Sequence, residues 1–119
     1  MKITITGRPI SKKNSKIVGR NRYSGKQFFT SSKQWQTFEK DALNQLLGVS
    51  AKFTGNFRID YKFSCYKGLS LDVDNAISGI NDILQLAGII DDDKNLTLGS
   101  FEKIPQCLEW KSEIEITQL

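Results

Sequence analysis

The segment from Leu71 to Asp93 reads LDVDNAISGINDILQLAGIIDDD, and the rest of the chain is organised around it. Two acidic clusters lie at the two ends of one amphipathic stretch. Apolar residues recur there at intervals of three and four, which predicts a helix, and Gly88 is typical of a helix C-terminus. We therefore expect a helix from about Asn75 to Ala87 whose apolar stripe belongs to the core. The stripe consists of Val73, Ala76, Ile77, Ile80, Ile83, Leu84 and Ala87.

The first acidic cluster contains Asp72 and Asp74, and the second is the run Asp91–Asp93. Residues two apart point to the same side of an extended backbone, and neighbouring carboxylates repel unless a cation lies between them or one is protonated. Mg²⁺ suits such a pair, because it prefers oxygen ligands and usually takes one or two carboxylates. A purely structural interpretation also fits: Asp72 caps the helix, Asp74 lies in its first turn, and the second cluster is a solvated turn.

Outside this segment, the pattern predicts one more helix and several strands. Alternation is clearest from Phe57 to Tyr66. We expect a single domain, residues 1–119, with an α+β fold (an α/β sandwich), in which a mixed β-sheet carries two packed helices. The other predicted elements are a strand at Met1–Thr6, a loop or loosely formed hairpin at Ile10–Lys26, a helix from Ser31 or Ser32 to about Leu47, a short strand at Leu96–Leu98 and a final strand at Leu108–Ile116.

The composition excludes several kinds of chemistry. The chain has no histidine, which rules out a Ser-His-Asp triad, a histidine-ligated metal and an imidazole general base. Cys65 and Cys107 lie in strand-like patterns and resemble small buried hydrophobic residues, which favours a reducing compartment. With no long apolar run and no charged-then-apolar leader, we expect no membrane span and a cytoplasmic protein.

The charge is distributed unevenly along the chain. The formal net charge is +4, yet residues 1–40 hold ten basic residues and one acidic residue, whereas residues 41–119 hold seven basic and twelve acidic ones. This asymmetry suits a polyanion held by the basic region and a metal held by the acidic one, although a basic run can also be plain solvated surface. The predicted DNA-binding residues are Lys12, Lys13, Lys16, Arg20, Arg22 and Lys26.

The Asp72-Val73-Asp74-Asn75 motif, the helix after it, the Ala87–Ile90 turn and the Asp92-Asp93 pair resemble the RusA family of Holliday junction resolvases. The resemblance spans nearly the whole chain. It implies a RusA-like, homodimeric, Mg²⁺-dependent endodeoxyribonuclease, with Mn²⁺ as an alternative ion, that serves DNA recombination and repair and is common in phages and prophages. It also implies that Asp72, Asp74 and Asp93 are the metal-binding catalytic carboxylates, with Asp92 a weaker metal ligand.

The chain departs from the family pattern at Ser78. The family usually has a lysine one helical turn after the second aspartate, where a cation offsets the charge of the phosphate under attack. One interpretation is that another lysine substitutes. A second is that this chain cuts junctions slowly, or binds them without cutting them. The candidate substitutes are Lys12, Lys13, Lys67 and Lys94.

The position of Asp93 raises a geometric question. A helix from Asn75 to Ala87 is on the order of 20 Å long, so Asp93 follows the end opposite Asp72. Either the chain folds back along the helix, which we favour, or the partner subunit of a dimer contributes Asp93.

The leading hypothesis is an enzyme that resolves Holliday junctions and other branched DNA by paired symmetric nicks, with metal-activated water as the nucleophile. One alternative is a non-catalytic, structure-specific DNA-binding protein of the same fold. Another is a small metal-dependent phosphohydrolase that acts on nucleotides.

Overall fold

A computed structural model describes residues 1–11, 16–20 and 27–119. In this part of the chain, four strands form a mixed sheet in the order β1-β6-β4-β5, and two further strands form a separate hairpin. The predicted α+β class, a mixed sheet with two helices, is confirmed. The elements are β1 (Lys2–Thr6), β2 (Lys16–Arg20), β3 (Gln27–Ser31), α1 (Lys33–Gln45), β4 (Phe57–Tyr66), α2 (Val73–Leu86), a short 3-10 helix (Asp93–Asn95), β5 (Leu96–Cys107) and β6 (Lys111–Gln118).

The sheet combines two antiparallel pairings with one parallel pairing. β6 pairs antiparallel with both β1 and β4, while β4 pairs parallel with β5, with Phe57 opposite Leu96. A parallel pair needs a crossover connection between its strands, and α2 lies within that connection. The helix of the Leu71–Asp93 segment is therefore the element that allows β5 to join the sheet.

The core lies between the helices and one face of the sheet. Alternate residues of β4 point inward, as their periodicity predicts, and the apolar stripe of α2 is buried as expected. The opposite face of β4 carries the polar residues Arg58, Asp60 and Lys62. The largest fully buried side chains include Trp35, Phe57, Phe63, Ile5, Ile59, Ile80, Ile83, Leu84, Ile114 and Ile116.

Several element boundaries differ from the sequence expectation. β5 runs for 12 residues rather than the short Leu96–Leu98 strand, and β6 begins at Lys111 rather than Leu108. Gln106 adopts a positive φ of 60° one residue before the end of β5, and Leu108 is 81% exposed between β5 and β6. The apolar alternation through Leu108 therefore continued across a turn that periodicity alone does not reveal.

Residues 16–20 and 27–31 pair antiparallel as β2 and β3, which agrees with the hairpin interpretation of the basic region. Residues 21–26, which connect the two strands, lie outside the described residues. None of the described helices is long and apolar enough to span a bilayer.

Asp60 joins the two parallel strands where their register shifts, between Ile59 and Tyr61. Its Oδ1 accepts hydrogen bonds from the Ser100 amide at 2.7 Å and the Ser100 hydroxyl at 3.0 Å, and it also pairs with Arg58. The Ser100 amide, followed by the Arg58 hydrogen bond, holds the pKa of Asp60 below its ordinary value. These bonds secure β5 to β4 just beyond the 3-10 helix that contains Asp93.

Gly79 allows an unusually close approach between α2 and the N-terminal region. A Cβ atom at this position would collide with the carbonyl oxygen of Ile10. The chain segment that follows β1 therefore lies directly against the middle of α2. This contact carries the start of the basic region, with Arg8, toward the N-terminus of the same helix.

Replacing Gly79 with alanine tests that contact. Alanine gains about 1 kcal/mol of helix propensity, but the collision with Ile10 costs on the order of 1–3 kcal/mol. We expect Gly79→Ala to lower the free energy of unfolding, measured by urea denaturation. Gly48→Ala is the matched control, because a Cβ there meets no atom within 4 Å. A Gly79→Ala protein about 1 kcal/mol more stable than the unsubstituted protein, which is the helix-propensity gain alone, would show that the segment does not pack on α2.

Candidate active site

Asp72 and Asp74 lie at the N-terminus of α2, and both are exposed. Asp72 is the N-cap residue, and its carboxylate accepts a hydrogen bond from the Asn75 amide at 3.3 Å. Asp74 lies in the first helical turn. The backbone turns into the helix directly after Asp72, so the side-by-side arrangement expected of an extended strand does not form. Both carboxylates instead lie at the positive end of the helix dipole, which stabilises negative charge.

Asp92 and Asp93 form the second acidic cluster, in the turn after α2. Asp92 caps the 3-10 helix, and its Oδ1 accepts a hydrogen bond from the Lys94 amide at 3.1 Å. This amide, followed by a side-chain hydrogen bond with Asp93, lowers the pKa of Asp92. Asp92 is therefore held ionised and oriented at neutral pH, with its geometry defined by the turn.

A buried polar pair links β4 to α2. The Tyr61 hydroxyl of β4 donates to Oδ1 of Asn81 on α2 at 2.6 Å, and both residues are buried. Burial is the main cause of the raised pKa of Tyr61, and the charge of Asp93 raises it further. β5 begins opposite Phe57, at the start of β4, so Asp93, just before β5, lies toward the C-terminal end of α2.

The two acidic clusters thus lie toward opposite ends of α2, a helix about 20 Å long at roughly 1.5 Å per residue. Among the residues that the structure describes, no three His, Cys, Asp or Glu side chains are grouped so that they could hold a metal ion. Asp72 and Asp74 are two carboxylates at the same end of α2, and Mg²⁺ commonly takes one or two carboxylates from a protein. Asp72 and Asp74 are therefore the residues here that suit a Mg²⁺ ion, and Asp93 lies away from them.

A cleft of about 690 Å³ lies beside Asp72. The residues after β1, the first turns of α1 and the N-terminus of α2 enclose it. We call this feature the N-terminal cleft. Its lining residues are Gly7, Arg8, Pro9, Ile10, Ser11, Lys33, Gln34, Thr37, Phe38, Asp41, Leu71, Asp72 and Asn75.

Two cations are held against the backbone immediately before Asp72. The Arg8 guanidinium donates to the Ser70 carbonyl oxygen at 3.3 Å and lies 5.0 Å from the centre of the Trp110 ring. Lys103 of β5 donates to the Leu71 carbonyl oxygen at 3.3 Å. Both residues were missed by sequence reasoning, because only tertiary contacts bring the segment after β1 and strand β5 to this end of α2. The sequence signal for Arg8 is its place in the basic region of residues 1–40.

The other predicted site residues are placed only in part. Ser78 is half-buried on α2, and Lys94 follows Asp93 in the 3-10 helix. Lys67 lies in the turn after β4. Lys16 and Arg20 are the first and last residues of β2. The remaining predicted DNA-binding residues, Lys12, Lys13, Arg22 and Lys26, lie outside the described residues.

Comparison with models of known protein families finds no match, and no curated protein compared with the chain matches it. The resemblance to the RusA family therefore stays a prediction from the motif residues, and the case for a function depends on the site itself.

The Tyr61–Asn81 pair gives a test of the packing between β4 and α2. Tyr61→Phe removes the donor and leaves a buried amide oxygen unpaired, which costs about 1–3 kcal/mol. We expect a corresponding loss in the free energy of unfolding. Tyr66→Phe, at the exposed end of the same strand, should change it by less than about 0.5 kcal/mol.

The double variant Tyr61→Phe/Asn81→Leu removes both polar groups and should recover much of the loss, since no buried group is left unpaired. Equal stability of Tyr61→Phe and Tyr66→Phe would contradict the buried hydrogen bond.

Proposed function

We propose that this protein is a Mg²⁺-dependent endodeoxyribonuclease that cuts branched DNA and resolves four-way junctions by paired symmetric nicks. One observation carries the proposal: exposed Asp72 and Asp74 lie at a helix N-terminus with Arg8 and Lys103 held beside them. Carboxylates suited to a hard cation and cations suited to phosphate thus occupy the same end of α2.

In this proposal, Asp72 and Asp74 hold the ion, and Asp93 and Asp92 are further candidates. Bound Mg²⁺, or Mn²⁺, would supply a water of lowered pKa at a site that contains no imidazole base. The protein's own side chains orient the metal-binding carboxylate and attract the phosphate. The Asn75 amide fixes the rotamer of Asp72, and the Ser70 carbonyl and the Trp110 ring fix Arg8 where it can meet a phosphate.

The substrate class follows from the charge distribution. The excess of basic residues in residues 1–40 suits the phosphate backbone, which positions a nucleic acid without reading its bases. A four-way junction has two-fold symmetry and needs two cuts, so we propose a symmetric homodimer with one site in each subunit. We also propose a cytoplasmic location, where such DNA is found.

A specific observation favours a second candidate, a structure-specific DNA-binding protein without catalysis. Asp72 and Asp92 each cap a helix, so both have a structural role that needs no metal. Ser78 also replaces the lysine that the family resemblance leads us to expect. Binding of branched DNA without cleavage would match these features.

Cleavage of a synthetic immobile four-way junction separates the two candidates. We expect symmetric nicks near the crossover at neutral pH that require Mg²⁺ or Mn²⁺ and are absent from linear duplex of the same sequence. Asp74→Asn should reduce the rate by at least about a hundredfold, because a metal-binding carboxylate is lost. Glu102→Gln is the control, since Glu102 lies opposite Lys62 on the polar face of the sheet.

Tight junction binding without nicks in either ion would contradict the enzyme and support the binding protein. Ser78→Lys would then be the informative variant, and a gain of cleavage in it would identify residue 78 as the missing cation.

Metal binding can be measured apart from cleavage. Mg²⁺ at a hundred times its dissociation constant should stabilise the folded protein by about 2.7 kcal/mol, which appears as a higher Tm. Asp72→Asn should abolish this shift yet keep the Tm without metal, because asparagine caps a helix as well as aspartate does. A Tm in the unsubstituted protein that ignores Mg²⁺ would count against an ion at Asp72 and Asp74.

A further inference from the structure

The N-terminal cleft receives the N-termini of both helices. Lys33 and Gln34 of α1 line it, as do Asp72 and Asn75 of α2. The first amide groups of a helix have no partner within the helix, and they lie at the positive end of its dipole. α1 has no acidic residue in its first turn, and Ser32 caps it by accepting from the Trp35 amide at 3.2 Å. The α1 end of the cleft thus offers positive potential with no carboxylate in its own first turn.

Ser11 supplies a second and independent observation. This residue is only 3% exposed and lines the cleft, yet its Oγ has no hydrogen-bond partner among the residues that the structure describes. Leaving a buried hydroxyl unpaired costs about 1–3 kcal/mol, so such groups are uncommon unless a ligand satisfies them. A ligand with acceptor oxygens in the cleft would remove that cost.

The charged groups of the cleft favour an anion at the α1 end. Arg8 and Lys33 are the cations in its lining, and Asp41 and Asp72 are the anions. Arg8 has five N–H groups and directs one of them to the Ser70 carbonyl, so others remain for a ligand. Asp72 is also the residue that the proposed function assigns to a divalent cation, and with that ion bound the balance of charge in the cleft is positive.

We propose that the N-terminal cleft binds one phosphate group of a DNA backbone. Arg8 and Lys33 supply the charge, and the Ser11 hydroxyl and the first amides of α1 supply neutral donors. The inference rests on the proposed function for the source of the phosphate, which is the strand under attack. In that context, Arg8 and Lys33 supply at the cleft the positive charge that Ser78 does not supply on α2.

Inorganic phosphate is the first probe, because it isolates the cleft from the rest of a DNA interface. Titration into ¹⁵N-labelled protein, against sodium chloride of equal ionic strength, should shift the amide signals of Lys33, Gln34 and Ser11. Lys33→Gln should weaken the affinity by roughly fivefold to tenfold, since a charge-assisted hydrogen bond is lost. Lys40→Gln removes the same charge from an exposed position on α1 outside the cleft lining and should change the affinity by less than about twofold.

Ser11→Ala tests the hydroxyl with a control of the same kind. It should weaken phosphate binding while leaving the free energy of unfolding equal or higher, because an unpaired buried hydroxyl is removed. Ser112 is also buried with an unpartnered Oγ but lies on β6, outside the cleft lining. Ser112→Ala should therefore leave phosphate affinity unchanged.

The source of the phosphate is tested with thymidine monophosphate and with the four-way junction. We expect Lys33→Gln to weaken the binding of the junction more than Lys40→Gln does. Thymidine monophosphate should bind no more tightly than inorganic phosphate. Tighter binding of the mononucleotide than of the junction would overturn the DNA assignment in favour of a free nucleotide.

Two further outcomes separate this proposal from the nuclease. Phosphate binding lost in Lys33→Gln, with no cleavage of any junction, would support the cleft and refute the enzyme. Cleavage of junctions by a protein whose phosphate affinity is the same in Lys33→Gln and Lys40→Gln would refute the cleft and leave the enzyme standing.

Discussion

The parallel pairing of β4 with β5 is the constraint on which the rest of the structure depends. Strands that run side by side in the same direction cannot be joined by a tight turn, so the chain must travel back along the sheet between them. α2 lies in this return path, and its two ends therefore fall near opposite ends of β4. The acidic clusters at Asp72 and Asp93 are separated by the same requirement. Their separation is a property of the topology.

A second constraint acts through a missing side chain. Because Gly79 has no Cβ, the backbone at Ile10 can lie against α2, and the segment that contains Arg8 and Ser11 is brought to the N-terminus of the helix. Basic residues near the start of the chain and carboxylates in its second half meet at one cleft for this reason. Only through this contact do the basic residues of the first part of the chain lie close to the acidic residues of the second part.

Much of the fold could be predicted from local patterns, because those patterns are caused by burial against one sheet face. The alternation in β4 and the stripe in α2 each report a single buried surface, and Ser32 and Asp72 are strong capping residues in the right places. The predicted boundaries were wrong where the chain leaves one strand for the next, as at Leu108 between β5 and β6. The site was predictable only as far as its acidic residues.

The partners of those acidic residues were not predictable, since they arise from tertiary contacts. A glycine in a helix does not indicate which part of the backbone packs against it. Tyr61 fits the pattern of any inward-facing residue of a strand. Its bond to Asn81 depends on the position of α2 over the sheet, which no periodicity records. The same is true of Lys103, whose contact with the Leu71 carbonyl joins β5 to the residue before the helix cap.

The cation that the family resemblance places one turn into the helix can be considered in the same terms. A lysine at position 78 would be carried by the same helix as Asp74 and would lie next to Gly79, where the Ile10 backbone already packs closely. In this chain, the positive charge near Asp72 comes instead from Arg8 and Lys103, each fixed by a backbone carbonyl at the start of α2. Charge supplied from neighbouring strands depends on the fold as a whole rather than on one helix. The presence of Ser78 is therefore compatible with a site that can still neutralise a phosphate, and the electrostatic requirement of the proposed chemistry falls on residues that the motif does not contain.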